Sequence, residues 1–219
     1  GDLLKAETIQ SLWSGYGSID RYVLKGSEVD TVVVKHVRLP DRGNHPRGWN
    51  TDNSHQRKLR SYQVETAWYE NWAGRCGDQC RIPRCMALER HDDEVLMVLE
   101  DLDSSGYPVR KNRVTESGMI RCLDWLARFH ATFMGERPDG LWEIGTYWHL
   151  DTRPDELAAL TDLPLQQAAA AIDKKLRECR FRTLVHGDAK LANFCFTAAV
   201  PTTRVAAVDF QYVGRGCGM

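Results

Sequence analysis

Hydrophobic and polar positions change their period midway along the chain. From Ile9 to Val37 the runs IQSLW, IDRYVL and TVVVKHV are short, rich in β-branched and aromatic residues, and separated by the Gly-containing turns SGYGS and GSEVD. That punctuation predicts three strands of an antiparallel meander. Residues 38–53, RLPDRGNHPRGWNTDN, collect Pro, Gly, Asn and Asp with no apolar period and predict a loop rich in arginine. In SHQRKLRSYQVETAWYENWAG the apolar positions Leu59, Tyr62, Trp68, Tyr69 and Trp72 recur near one helical face, between a Ser suited to capping and a closing Gly. An amphipathic helix over 55–73 follows. CMALER and EVLMVLE, split by HDD, predict a further strand pair, and DLDSSGYPVRKN a connector over 100–112.

Beyond the connector the period becomes helical. TESGMIRCLDWLARFHATFMG places apolar residues at Met119, Ile120, Leu123, Leu126, Ala127, Phe129 and Phe133, and LPLQQAAAAIDKKLRECR is Ala-rich with strong helix formers. Two β-like stretches close the sequence, one around TLVHGD with FCF and one around RVAAVDF. The pattern is an α+β chain with strands and one helix in residues 1–102 and mostly helix in 103–219.

Composition narrows the function classes. With 219 residues and 42% hydrophobic content the chain can bury a sizeable core as one large domain or two small lobes. Lys plus Arg total 29 against 30 Asp plus Glu, so there is no overall field to gather nucleic acid or an anionic membrane. No run approaches the ~18 apolar residues of a membrane span, and GDLLKAETIQSLW lacks a signal-peptide layout, so a cytoplasmic location is expected. Seven scattered cysteines suit a reducing compartment, and the spacing of Cys76, Cys80 and Cys85 matches no common zinc knuckle. The composition implies no particular oligomeric state.

The run LVHGDAKLANFCF sets His186, Asp188 and Asn193 between apolar neighbours, in a loop that leaves one strand and returns in another. Asp209 stands at the end of the next strand, so Asp188, Asn193 and Asp209 can converge on one edge of a hairpin. A hard cation such as Mg²⁺ takes carboxylate and amide oxygens of this kind, with phosphate and water completing its shell. One carboxylate can then stay free of metal and orient a hydroxyl nucleophile, a division of labour that phosphoryl transfer uses. Lys35, at the end of an apolar strand, is costly to bury alone, so a glutamate from the facing helix is expected, with Glu65 and Glu70 as candidates.

His186-Gly187-Asp188, Asn193 and Asp209-Phe210-Gln211 together resemble the catalytic core of the protein-kinase-like small-molecule phosphotransferases: aminoglycoside phosphotransferases, choline kinases and the ecdysteroid-kinase-like group. The resemblance spans essentially the whole chain. It implies a bilobal protein-kinase-like fold, with an antiparallel five-stranded sheet plus a helix in the N-terminal lobe (1–102, hinge included) and a mainly helical C-terminal lobe (103–219). The chain ends a few residues past the metal strand, at VGRGCGM, where relatives continue with further helices, so the C-terminal lobe is expected to be incomplete.

Carried onto this sequence, the resemblance makes Asp188 the catalytic base, Asn193 and Asp209 the Mg²⁺ ligands, and Lys35 the contact to the ATP phosphates, held by Glu65. Lys190 would lie near the transferring phosphoryl group, and His186 and His130 would serve as scaffold. Ser14, Gly15, Gly17 and Ser18 would pass over the phosphates, although any tight hairpin would want the same glycines. Glu100, Asp101 and Leu102 would present backbone groups to adenine. The expected reaction is ATP-dependent phosphorylation of a small-molecule alcohol, and a nucleotide-binding but catalytically silent module is the alternative. HGD in place of HRD, with no Ala-Pro-Glu segment after Asp209, argues against a peptide acceptor. Trp142, Tyr147, Trp148 and Tyr212 could wall a pocket for an apolar or quaternary-ammonium alcohol, and no acidic cluster for a polycationic aminoglycoside is evident.

Overall fold

The computed structural model describes residues 2–12, 15–38, 52–91, 94–146, 149–198 and 203–218, with the backbone alone for 52–54. The first half is a five-stranded sheet built from β1 (Asp2–Ser11), β2 (Gly17–Lys25), β3 (Thr31–Arg38), β4 (Cys85–His91) and β5 (Glu94–Glu100). The order is β1-β2-β3-β5-β4 and every pairing is antiparallel. Inner strand β3 buries Val32, Val34 and Val37 and, beside them, Lys35.

β1 starts seven residues before the predicted run and is exposed along its length. It is an edge strand, which packs little, and register shifts between Lys5 and Glu7 and between Thr8 and Gln10 break the alternation that would have revealed it. Arg21 of β2 ties the sheet to the connector through ion pairs with Asp101 (2.7 Å) and Asp103 (2.5 Å).

Helix α1 (Asp52–Asn71) begins and ends slightly ahead of the predicted 55–73. Its Val64, Trp68 and Tyr69, with Trp72 just beyond, join Met97 and Leu99 of β5 in the main core. The same core receives Phe129, Phe133 and Phe210 from the second half, and Trp68 stacks on Phe210 with centroids 4.7 Å apart.

In the second half α2 (Glu116–Thr132) is capped by Thr115, whose side chain accepts from the Gly118 amide. Its buried face is Gly118, Cys122, Trp125 and Phe129, a spacing of four, three and four. Met119, Ile120 and Leu123, apolar positions of the same helical run, are about half exposed. The helix is apolar around much of its girth, and the stripe that is covered is the one that meets the closing strand pairs and the turn at Asp78–Cys80. A short α3 (Pro154–Ala158) was not anticipated, and α4 (Leu163–Arg177) stops earlier than its helix-forming run because it leads into β6.

The chain closes in two small antiparallel pairs. β6 (Arg182–Val185) pairs with β9 (Gly214–Cys217), and β7 (Phe194–Phe196) with β8 (Val205–Ala207). β9, with sequence GRGC, carries no strand pattern. Its glycines answer a close approach, since a Cβ on Gly214 would lie 2.1 Å from the Trp142 carbonyl oxygen. Among the described residues no helix is long and apolar enough to cross a membrane.

Candidate active site

The polar loop leaves β6 at His186 and reaches β7 through a 3-10 turn, Leu191–Asn193. His186 is buried and holds this loop to the far side of the β7–β8 hairpin. Its Nε2 lies 3.0 Å from the Val208 carbonyl and its Nδ1 3.3 Å from the Asp188 amide nitrogen. A ring that donates at Nε2 and accepts at Nδ1 is neutral, and burial lowers its pKa in the same sense. Gly187 has φ +81°, and a Cβ there would lie 2.0 Å from the Tyr212 carbonyl oxygen, so no larger residue fits.

Those contacts fix Asp188 beside Asn193. The Asn193 amide nitrogen donates to the Asp188 carbonyl at 2.9 Å and to its carboxylate at 3.2 Å, leaving the amide oxygen for another partner. The Val208 amide donates to the Asn193 carbonyl at 3.0 Å, which brings Asp209 to the same edge. Lys190 sets its ammonium 2.6 Å from the Asp188 carboxylate. Asp188, Asn193 and Asp209, separated in sequence, are therefore neighbours at one end of the hairpin.

Asp209 has two features that structure alone does not account for. It is the one non-glycine among the described residues with positive φ, at 69°. Its Oδ1 is buried with no hydrogen-bond partner. A left-handed aspartate and an unmet carboxylate oxygen each cost free energy, of order 1–3 kcal/mol. A bound cation would repay both. Among the described residues no group of three or more His, Cys, Asp or Glu gathers to hold a metal alone. One carboxylate and one amide oxygen suit Mg²⁺, which is usually held by few protein ligands together with substrate phosphates.

Across a cleft of ≈ 1280 Å³ lies the Lys35–Glu65 pair, with Nζ and Oε2 2.6 Å apart and both side chains buried. Burial pushes the Glu65 carboxyl up, while Lys35 and Lys58 pull against that. Glu70, the other candidate partner, pairs with Arg90 of β4 at 2.7 Å instead.

Sequence reasoning missed Lys58. It lines the same cleft, donates to the Gln211 amide oxygen at 2.7 Å, and sits 4.7 Å from the Tyr62 ring centroid. Burial, and then Lys35, bring its pKa down to about 8. Its place seven residues before Glu65 puts both on one helical face, and that spacing was the available signal.

The remaining candidates divide. Gly15, Gly17 and Ser18 do not line the cleft. Gly17, at φ +124°, is required by β3, since a Cβ would lie 1.9 Å from the His36 carbonyl oxygen, and Ser18 donates to Asp20 at 2.7 Å. The plain hairpin reading of these positions therefore fits the geometry, and Ser14 lies outside the described residues. Glu100 and Leu102 do line the cleft. The Glu100 carboxylate serves the fold, accepting from Arg81, Ser105 and the Arg84 amide, while Leu102 packs with Tyr107 and Cys195. Trp142 and Tyr212 stack on one another with centroids 6.2 Å apart. Tyr147 and Trp148 lie outside the described residues. His130 meets the Gly218 carbonyl (3.2 Å) and its own carbonyl accepts from Thr183, contacts that hold α2 to β6 and to the residue after β9.

An antiparallel sheet flanked by one helix, a buried Lys–Glu pair, and a His-Gly-Asp loop across a cleft are the parts of a kinase-like phosphotransferase. The phosphotransferase enzyme family, APH, matches over residues 8–217, and the chain belongs to that family. Its members transfer phosphoryl groups to small molecules, so the chain is an enzyme of that class. No curated protein matches it.

Proposed function

We propose that the chain is an ATP- and Mg²⁺-dependent kinase that phosphorylates a hydroxyl group of a small molecule, working as two lobes about the cleft. The observation that carries this reading is the buried, unpartnered Oδ1 of left-handed Asp209, a residue that lines the same cleft as Lys35 and Asp188.

In this reading Asp209 and the Asn193 amide oxygen hold Mg²⁺, which supplies charge neutralisation for the phosphates. Lys35, positioned by Glu65, contacts the nucleotide phosphates, and the backbone at Glu100 and Leu102 faces the adenine. Asp188 orients the acceptor hydroxyl and takes its proton. Lys190, now on the Asp188 carboxylate, is placed to turn to the transferring phosphoryl group, and its departure frees Asp188 for the acceptor. Lys58 adds a second cation to the phosphate end of the cleft.

Two isosteric changes test the division between base and metal ligand. Asp209→Asn should lower Mg²⁺-dependent ATP affinity and turnover together. Asp188→Asn should keep Mg-ATP binding while turnover falls by a factor on the order of 10² to 10⁴. Calorimetric titration of Mg-ATP alongside a coupled ADP-release assay reads both. Near-normal turnover in Asp188→Asn, or equal loss of Mg-ATP binding in the two variants, would refute the assignment.

A further inference from the structure

Beside the cleft lies a smaller cavity of ≈ 310 Å³, lined by Arg57, Arg60, Trp142, Ile144 and His149 among others. It shares Arg57 and Thr152 with the cleft that Asp188 and Asp209 line. Its aromatic wall adjoins the catalytic loop. Trp142 donates from Nε1 to the Gln211 carbonyl at 2.7 Å and stacks on Tyr212, whose carbonyl packs against Gly187 beside Asp188. A small molecule seated in this cavity is thus next to the loop that would activate its hydroxyl.

Among the described residues the charged side chains that line the cavity are basic, with Asp151 and Asp173 near enough to His149 to act on it from outside. The described residues that line it include two arginines and no carboxylate. Arg60 gives Nη2 to the carbonyls of Gly140 (3.3 Å) and Leu141 (3.1 Å), and it has no ion-pair partner among the described residues. Two carbonyls on one nitrogen leave the other edge of the guanidinium with donors to offer. His149 is kept from charging first by burial and then by Arg57. The nearby carboxylates, Asp151 and Asp155, line the larger cleft instead, and Asp151 is bound to Arg177 at 2.6 Å.

The aromatic faces are not open to a cationic guest. The Arg60 guanidinium lies 5.9 Å from the Trp142 ring and the Arg57 guanidinium 5.9 Å from the Tyr212 ring. A quaternary ammonium or a polyamine entering here would meet the Arg60 guanidinium already on the Trp142 ring. An anion would meet the opposite, because a guanidinium fork binds carboxylate with directed, charge-assisted hydrogen bonds.

Resting on the kinase reading above, we infer that the acceptor is a hydroxy-carboxylate with a flat, apolar body, its carboxylate on Arg60 and its body along Trp142 and Ile144. In the transfer the acceptor oxygen forms a bond to the γ-phosphorus as the bond from that phosphorus to the β,γ-bridging oxygen breaks. The hydroxyl proton passes to the Asp188 carboxylate, and ADP leaves with the bonding electron pair. Choline-like and aminoglycoside-like acceptors are thereby disfavoured.

A charge-matched panel tests this on the whole chain: para-hydroxymethylbenzoate, its methyl ester and para-hydroxymethylbenzylamine. Binding is followed by ligand-observed NMR with Mg-ADP present, and turnover by ADP release from ATP. The carboxylate should bind ~10- to 100-fold more tightly than the ester, the worth of a hydrogen-bonded charge, and the amine should bind least. Arg60→Met should erase the carboxylate's advantage while leaving the ester's affinity in place, so that the ester checks the fold. Arg60→Lys should restore part of the advantage. Intact Mg-nucleotide binding with no preference for the carboxylate, or with a preference for the amine, would overturn the acceptor class and leave the kinase reading standing. Loss of Mg-nucleotide binding in the unmodified chain would instead overturn the kinase reading.

Discussion

The Lys35–Glu65 pair should respond very differently to the loss of each partner. The side chains are 4% and 2% exposed and 2.6 Å apart, and Lys58 stands close enough to add a second cation to the Glu65 surroundings. Glu65→Leu strands Lys35 in the interior facing Lys58, and breaking a buried pair in this way costs ~3–5 kcal/mol. Lys35→Met strands a carboxyl that burial has already pushed up, and a carboxyl can escape by taking a proton. That escape costs ~1.4 kcal/mol for each unit by which the folded pKa exceeds the unfolded one, counted no further than the working pH, so the loss at pH 7 should be ~1–3 kcal/mol. The double variant leaves two apolar side chains of similar volume and should cost under ~1.5 kcal/mol. The mutant cycle should then show a coupling of at least ~2.5 kcal/mol. Urea unfolding followed by tryptophan fluorescence supplies the numbers. The sign with pH is also fixed. In Lys35→Met the folded pKa of Glu65 lies above its unfolded value, so stability is greatest below pH 4.5 and falls as pH rises through the folded pKa. A double variant as unstable as Glu65→Leu, or a Lys35→Met variant that gains stability between pH 5 and 8, would refute this account of the pair.

Two further outcomes follow from the site. Lys58, with a folded pKa of about 8 against an ordinary 10.5, burdens the free protein fully below pH 8 and not at all above 10.5. Lys58→Met should therefore raise the melting temperature at pH 7, ~2–4 °C for each kcal/mol relieved, with the gain fading as pH climbs past 8, while ATP affinity falls and AMP affinity does not. A variant less stable than the parent at pH 7 would contradict the burden. Buried His186 has a pKa below its ordinary 6.5, so it stabilises the fold above that pH and the contribution is lost as pH falls through the window below it. Removing the titrating ring in His186→Gln should reduce the acid-side slope of unfolding free energy by up to ~1.4 kcal/mol per pH unit, and an unchanged slope would show that the ring does not titrate there.

What the sequence revealed was the chemistry written in contiguous residues. His186-Gly187-Asp188 and Asn193 occupy eight positions, and the hairpin that brings Asp209 beside them is short enough to read from two apolar runs. Lys35 with Glu65 was legible because burial of a lone strand lysine demands a partner. Local pattern failed where the deciding contact is remote. Nothing near Lys58 announces Gln211, which is 153 residues away. Nothing in GRGC announces a strand, because the reason for β9 is the close approach of Trp142 and Val185. For α2 the sequence offered more apolar positions than one face can bury, and only the packed structure selects Trp125 and Phe129 over Met119 and Leu123.

The selection at α1 has a consequence for how the site works. Three consecutive residues, Asp209, Phe210 and Gln211, each act on this helix, the last two by contact and the first by charge. Gln211 accepts from Lys58 at 2.7 Å and from Ser61 at 3.3 Å, and Phe210 stacks on Trp68. Asp209 acts on Glu65 and Lys58 through charge. One side of α1 thus carries a polar end, Lys58 to Glu65, and an apolar end, Trp68 and Tyr69, and the segment after β8 is held along both. The apolar contacts are non-directional and set the distance between helix and segment, whereas the hydrogen bonds from Lys58 and Ser61 set the register. A cation at Asp209 would strengthen one end of this seam, and a phosphate that draws Lys58 away from Gln211 would loosen the other. The position of α1, and with it of Glu65 and Lys35, would therefore be coupled to a cation and phosphate in the cleft, through contacts that no single motif in the sequence contains.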